Sequence, residues 1–275
     1  MERFGQGIEI ASGSSTCVLV LHGYSDTPYE FKHVAEAIAS TGVDVMVPVL
    51  PHHGVDSIEL LKANRAETWQ WLDGEIARLK QRYENVILVG QSMGAGAAIT
   101  AATSGAPIDG MVVAAVNGVP STKVRFLMHL ARALHVTSFK ARHSFLRGMG
   151  FDPAYVAWKQ ARFPTISLHV FLEAFDELDD YIKDTSRIRV PIMVIHGARD
   201  FATKVQETSD FYFNNVGSTK KFTIIIEGTG HAAFFTPRFD ALMKHVKGFI
   251  QDIRDHGGEG KAVGRMRIGK DGEVE

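Results

Sequence analysis

The chain has 275 residues, 45% of them hydrophobic and 22% charged, so it can bury a sizeable core and has neither a disordered, a collagen-like nor a membrane composition. Thirty Lys and Arg against 31 Asp and Glu leave a net charge of −1, which gives no basic field for a polyphosphate backbone and argues against nucleic acid as a partner. The single cysteine, Cys17, excludes an intramolecular disulfide. With no apolar leader and no run near the ~18 apolar residues of a bilayer span, the expectation is a cytoplasmic protein without stable membrane insertion.

Short β-branched runs alternate with amphipathic helical patterns, as parallel strands joined by crossover helices do. Strands are predicted at 17–21, 43–49, 86–90, 111–116, 190–196 and 222–226, and helices at about 29–40, 66–83, 92–103, 205–213 and 237–253. The alternation stops between Val119 and Arg189, where helical spacing takes over. Val124, Leu127, Ala131 and Leu134 form one apolar stripe there, and Leu168, Phe171, Phe175, Leu178 and Ile182 another. These are either extra core-packing helices or a cap over the strand ends, where ligands of such sheets bind; the place of the interruption favours the cap. The expected organisation is a core of 1–118 and 189–255, a helical cap of 119–188, and a flexible tail of 256–275. Six glycines and few apolar residues in the last twenty positions suggest the tail, although Asp271-Gly272 offers a hairpin turn and a docked strand is the alternative.

The strongest local signal is VILVGQSMGAGAAIT, in which Gly90, Ser92 and Gly94 spell G-x-S-x-G between an apolar strand and a small-residue helix. A serine on so tight a strand-to-helix turn sits in a strained conformation that only small neighbours permit, with its hydroxyl at a helix amino terminus. A hydroxyl is a weak nucleophile and needs a base oriented by a third group. Two later strand ends supply them: HGARD places Asp200 after one strand, and EGTGH places His231 after another. An oxyanion also needs preorganised donors. The backbone N–H groups of Met93, after the serine, and of Tyr24, in LVLHGYSDTPYEF, are the candidates, with His22-Gly23 shaping the turn rather than transferring protons.

On these residues the sequence resembles the α/β-hydrolase superfamily, and within it the bacterial carboxylesterase and monoacylglycerol lipase group with its lysophospholipase-like relatives. The resemblance covers about 15–252 and rests on HGYSDTPYEF, VPVLPHHG, GQSMGA, PIMVIHGARD and GTGH. It implies an α/β-hydrolase fold, a mostly parallel central sheet with helices on both faces and an inserted helical cap. It further implies Ser92 as nucleophile, His231 as general acid and base, Asp200 as its orienter, and the Tyr24 and Met93 amides as oxyanion hole, with no metal or organic cofactor. The implied substrates are short- to medium-chain acyl esters or monoacylglycerols. The same triad serves thioesters, amides and C–C bonds, and a catalytically silent small-ligand binder is the rival of another class. A serine at this turn argues against dehalogenase or epoxide hydrolase chemistry, which uses aspartate. Two departures stand out: Ala95 replaces a common glycine, and Asp200 is followed by Phe-Ala-Thr-Lys-Val instead of the usual x-x-Val-Pro. The next helix should therefore start later, with Phe201 facing the pocket beside Phe171 and Phe175.

Other residues read as structural. His52 and His53 lack metal-ligand spacing and suit a loop. Asp176, Glu177, Asp179, Asp180 and Asp184 suit a solvated helix face, with Asp176 the only rival to Asp200, and Arg125, Arg132, Lys140, Arg142 and Arg147 suit another. Phe126, Phe139, Phe145, Phe151, Trp158 and Phe163 divide between an apolar acyl pocket and the cap's own core.

Overall fold

The computed structural model describes residues 2–141, 143, 146, 150–169, 172–173 and 184–275. Its centre is an eight-stranded sheet whose inner strands are buried on both faces, which is why they read in the sequence as nearly unbroken apolar runs. In chain order the elements are β1 (Ile8–Ile10), β2 (Thr16–Leu21), α1 (Lys32–Ala39), β3 (Asp44–Val47), α2 (Ser57–Leu60), α3 (Arg65–Lys80), β4 (Asn85–Gln91), α4 (Met93–Ser104) and β5 (Gly110–Ala114). The inserted segment then brings α5 (Thr122–Ala133), β6 (Ser138–Lys140), α6 (Pro153–Arg162) and β7 (Thr165–Ser167). The chain returns to the sheet with β8 (Ile192–Gly197), α7 (Val205–Asn215), β9 (Lys220–Ile226), α8 (Phe239–His256) and β10 (Ala262–Ile268).

The strand order is β1-β3-β2-β4-β5-β8-β9-β10, with β1 antiparallel to β3 and every other pair parallel. Alternation sorts the core into two layers. Leu19, Leu21, Leu88, Met111, Val113 and Val194 pack under α3, α4 and α7, while Val18, Val20, Ile87, Val89, Val112 and Ile195 pack under α1 and α8. A third cluster lies beyond the strand ends and joins Phe4, Tyr24 and Leu60 to Tyr155, Val156, Trp158 and Phe163.

The inserted segment meets the loops that follow the strands. Tyr155 Oη lies 3.0 Å from Thr27 Oγ1, Ser57 Oγ donates to the Thr165 carbonyl at 2.9 Å, and the Phe151 and Phe235 rings lie 5.7 Å apart. Lys159 Nζ lies 2.7 and 2.9 Å from the two carboxylate oxygens of Glu30, with both side chains buried. Trp158 and Phe163 are buried here, whereas the α5 stripe is not: no residue of α5 is buried, and Phe126 and Leu134 are 65% and 64% exposed. Along that stripe Val124 and Ala131 are half-buried while Leu127 and Leu134 are exposed, so α5 is only partly covered. The antiparallel pair β6 and β7, three residues each, was hidden by its shortness.

The segment beyond His256, expected as a flexible tail, is instead ordered into the edge strand β10 and a closing hairpin. Met266 and Ile268 alternate into the core layer under α8, Gly264 lies within β10, and others of the glycines serve turns: Gly257 is the left-handed cap of α8, and Gly272, at φ 84°, turns the hairpin. Composition averaged over twenty residues concealed a two-residue period.

Candidate active site

The site grows from the turn between β4 and α4. Ser92 has φ 53° and ψ −113°, a conformation that costs a non-glycine residue about 1–3 kcal/mol. Tight packing imposes it. A Cβ on Gly90 would stand 2.4 Å from the Gly94 carbonyl oxygen, and one on Gly94 would stand 2.2 Å from that of Leu21, so the two flanking positions admit glycine alone. The Ser92 amide donates to the Ala114 carbonyl on the neighbouring strand at 2.9 Å, which anchors the turn to the sheet.

The structure brings the three sequence-predicted side chains together. Ser92 Oγ lies 3.0 Å from His231 Nε2, and His231 Nδ1 lies 3.0 and 2.9 Å from the two Asp200 carboxylate oxygens. With Nδ1–H donated to Asp200, Nε2 is left to accept the serine hydroxyl. Burial of Asp200 opposes its ionisation, but the imidazoles of His196 and His231 and the Ala202 amide outweigh it and hold the carboxyl well below the ordinary carboxylate range. His196 was not singled out from sequence. It is fully buried, with Nδ1 3.9 Å from Asp200 Oδ2, and its place at the end of β8 was the available signal.

Met93 opens α4, so its amide is a first-turn donor with no carbonyl one turn back. Tyr24 follows β2, where Gly23 accepts from the Asp26 amide at 3.1 Å and from His22 Nδ1 at 3.0 Å. Leu50 N donates to His22 Nε2 at 3.3 Å, so both ring nitrogens are spent on backbone, and burial pushes the pKa down to about 4. His22 thus shapes the turn as a neutral imidazole. His52 is held by Glu59 and Glu67, at 2.7 and 2.9 Å, and among the described residues no cluster of three or more His, Cys, Asp or Glu suits a metal ion.

Phe201 is 69% exposed, its ring centroid 5.9 Å from that of His231. Its carbonyl accepts from Ser121 Oγ at 2.8 Å and the Val119 carbonyl accepts from the Lys204 amide at 2.7 Å, so the insertion begins laced to the loop after Asp200. α7 starts at Val205, where the helical pattern of the sequence begins. Phe171 and Phe175 lie outside the described residues, as do Phe145, Arg142, Arg147 and Asp176.

Residues 13–238 match the family described as serine aminopeptidase, S33. The chain belongs to this family. Among curated proteins it is similar to the thermostable monoacylglycerol lipase of Bacillus sp. (strain H-257), at 24% identity over 220 residues that span 78% of this chain and 82% of the relative. Among solved structures, one of metagenome-derived lipolytic enzymes, reported under the names LipS and LipT, superposes with a TM-score of 0.73 at 19% identity, covering 90% of this chain and 98% of that one. The monoacylglycerol lipase of Paleococcus ferrophilus gives a TM-score of 0.70 at 17% identity, covering 89% and 97%. The fold is therefore that of the α/β-hydrolases, and among the described residues no helix is long and apolar enough to cross a membrane.

Proposed function

We propose that this protein is a serine hydrolase that cleaves carboxylic esters of short- to medium-chain acyl groups or monoacylglycerols through an acyl-enzyme. The observation that carries the reading is the unbroken path from Asp200 through His231 to a strained Ser92. In this mechanism His231 takes the hydroxyl proton as Ser92 Oγ attacks the ester carbonyl, and Asp200 stabilises the imidazolium that forms. The developing oxyanion is held by the Met93 and Tyr24 amides. His231 then returns the proton to the leaving alcohol, and water repeats the sequence on the acyl-serine. Phe201, beside His231, lines the entry for an apolar group, and the single cysteine fits a cytoplasmic setting.

The family description favours a second reading, release of an N-terminal amino acid from a peptide. Such a substrate carries an ammonium group at the reacting end. The stretch 119–141, which begins laced to the Phe201 loop, holds Lys123, Arg125, Arg132 and Lys140 and no acidic residue, while α5 presents Phe126, Leu130 and Leu134 outward. A stretch of this charge beside the Phe201 loop suits an uncharged acyl ester better than an ammonium. Relatives named as monoacylglycerol lipases support the same choice.

The test is hydrolysis of p-nitrophenyl esters of rising chain length and of aminoacyl nitroanilides by wild type, Ser92→Ala and Asp200→Asn, with fluorophosphonate labelling in parallel. Ester turnover should fall by about 10³-fold or more in Ser92→Ala and by about 10⁴-fold in Asp200→Asn, and labelling should vanish with the serine. Turnover of the nitroanilides alone selects the peptidase reading, and a wild type that neither labels nor turns over ester is a silent binder.

A further inference from the structure

The family match stops at residue 238, before α8, β10 and the hairpin that closes the chain. β10 pairs with β9 along its whole length, so Ile268 stands beside Ile226, the last residue before the loop that carries His231. Both ends of that loop are tied to the C-terminus. At its start, the Glu227 amide donates to the Ile268 carbonyl at 2.8 Å, and the Glu227 carboxylate pairs with the Arg267 guanidinium. At its end, Arg238 donates to the Lys270 carbonyl through Nε at 3.0 Å and Nη2 at 2.7 Å. The hairpin fixes these partners in turn: Arg267 and Glu275 exchange backbone hydrogen bonds of 2.9 and 3.0 Å, and the Gly269 amide donates to the Glu273 carbonyl at 2.9 Å. Arg265, on the same face of β10 as Arg267, pairs with Asp210 and lies 4.2 Å over the Phe213 ring. It fastens the strand to α7, the helix after the Asp200 loop.

We propose that the C-terminal strand and hairpin, residues 262–275, are a positioning element of the reaction centre, which fixes the path of the His231 loop by holding Glu227 at one end and Arg238 at the other. The proposal rests on the reading of His231 as the base. A loop with Gly228 and Gly230 near its start has wide backbone freedom, yet proton transfer needs the imidazole within hydrogen-bond reach of Ser92. Bonds inside the loop, such as the 2.7 Å contact between the Thr229 and Thr236 hydroxyls, set its shape. The ties to the hairpin set where it leaves the sheet and where it returns. Met266 and Ile268 already account for covering the edge of β9; the arginine ties add nothing to that covering and act on the loop.

The test measures kcat and KM for ester hydrolysis, the rate of fluorophosphonate labelling and the thermal midpoint for full-length wild type, Arg267→Ala, Arg267→Lys, Arg238→Ala and His231→Ala. A displaced imidazole lowers kcat by about ten- to a hundredfold in Arg267→Ala and Arg238→Ala, while KM stays within about twofold. Labelling slows in parallel, and Arg267→Lys, which keeps a cation beside Glu227, recovers part of the loss. Should Arg267→Ala fail to fold, Arg238→Ala carries the same expectation, because its side chain lies outside β10. A lowered midpoint with kcat intact means that the segment only covers β9 and overturns the proposal, as does no change in either. Wild-type turnover by His231→Ala places the failure in the catalytic reading instead. Loss in His231→Ala with both arginine variants at wild-type kcat places it in the positioning role alone.

Discussion

His22 has no exposed surface, and His53, 2% exposed, packs edge-on against it with ring centroids 5.1 Å apart. Burial pushes His22 down to about 4, and burial together with the neighbouring His22 pushes His53 down to about 3. In the unfolded chain both titrate near 6.5. The sign follows: each group contributes stability that is fully present above about pH 6.5 and is lost as the pH falls toward the folded value. For His22 alone the loss amounts to about 3 kcal/mol between pH 6.5 and 4, and the two sites are too close for their losses to add. Urea unfolding at pH 7.5, 6.5, 5.5 and 4.5 should show a falling midpoint below 6.5, and a flat profile would mean that these imidazoles are hydrated. In the sequence His22 reads as a turn-former and His53 as a loop residue. What the sequence lacks is depth: nothing in VPVLPHHG separates the histidine tied to two glutamates from its neighbour, buried against His22.

At the scale of elements, two glycines in helices behave oppositely. Gly94, in the first turn of α4, has the Leu21 carbonyl where a Cβ would go, whereas a Cβ on Gly74, within α3, meets nothing within 4 Å. Gly94→Ala must move the helix or the strand below it and is expected to cost about 3 kcal/mol or more, with ester turnover lost because Ser92 rides on the displaced turn. Gly74→Ala should stabilise by about 0.5–1 kcal/mol with turnover unchanged. Urea midpoints and turnover of the two variants decide it; a tolerated Gly94→Ala would show that the turn is looser than drawn. The sequence marked this element well because the motif, the strand before it and the small-residue helix after it lie within fifteen positions. The central strands were equally legible, since helices bury both of their faces. β1, β6 and β7, at three residues, are too short to show a period, and the period of β10 was diluted by turn glycines. The α5 stripe is legible as a helix for its spacing, but spacing does not show how deeply a face is covered, and here Val124 and Ala131 are only half-buried.

Across the whole molecule, the insertion is joined to the turn between β2 and α1 by a buried ion pair between positions 129 residues apart. Lys159 on α6 holds Glu30 from both carboxylate oxygens and reaches Asp26 at 3.6 Å, so α6 is fixed to the stretch that follows Tyr24. Glu30 is marked in the sequence only as the capping-box partner of Thr27, whose amide it accepts at 2.9 Å, and nothing local points to Lys159, so only the tertiary structure pairs them. Lys159→Met leaves Glu30 buried without its partner and should cost about 3–5 kcal/mol in urea unfolding. Adding Glu30→Gln removes the stranded charge, so the double variant should be more stable than Lys159→Met. The pH dependence gives a sharper test. Burial raises the Glu30 pKa and Lys159 opposes it; without the ammonium, burial and Asp26 still raise it, and only the Thr27 amide is left to oppose them. Glu30 then binds a proton as it folds, so folding of Lys159→Met is favoured by acid relative to wild type. The deficit against wild type should therefore shrink between about pH 8 and about pH 5. A deficit that stays constant or widens over that range would mean that α6 has lifted away and let water reach Glu30, in which case the pair does not fasten the insertion beside the Tyr24 turn.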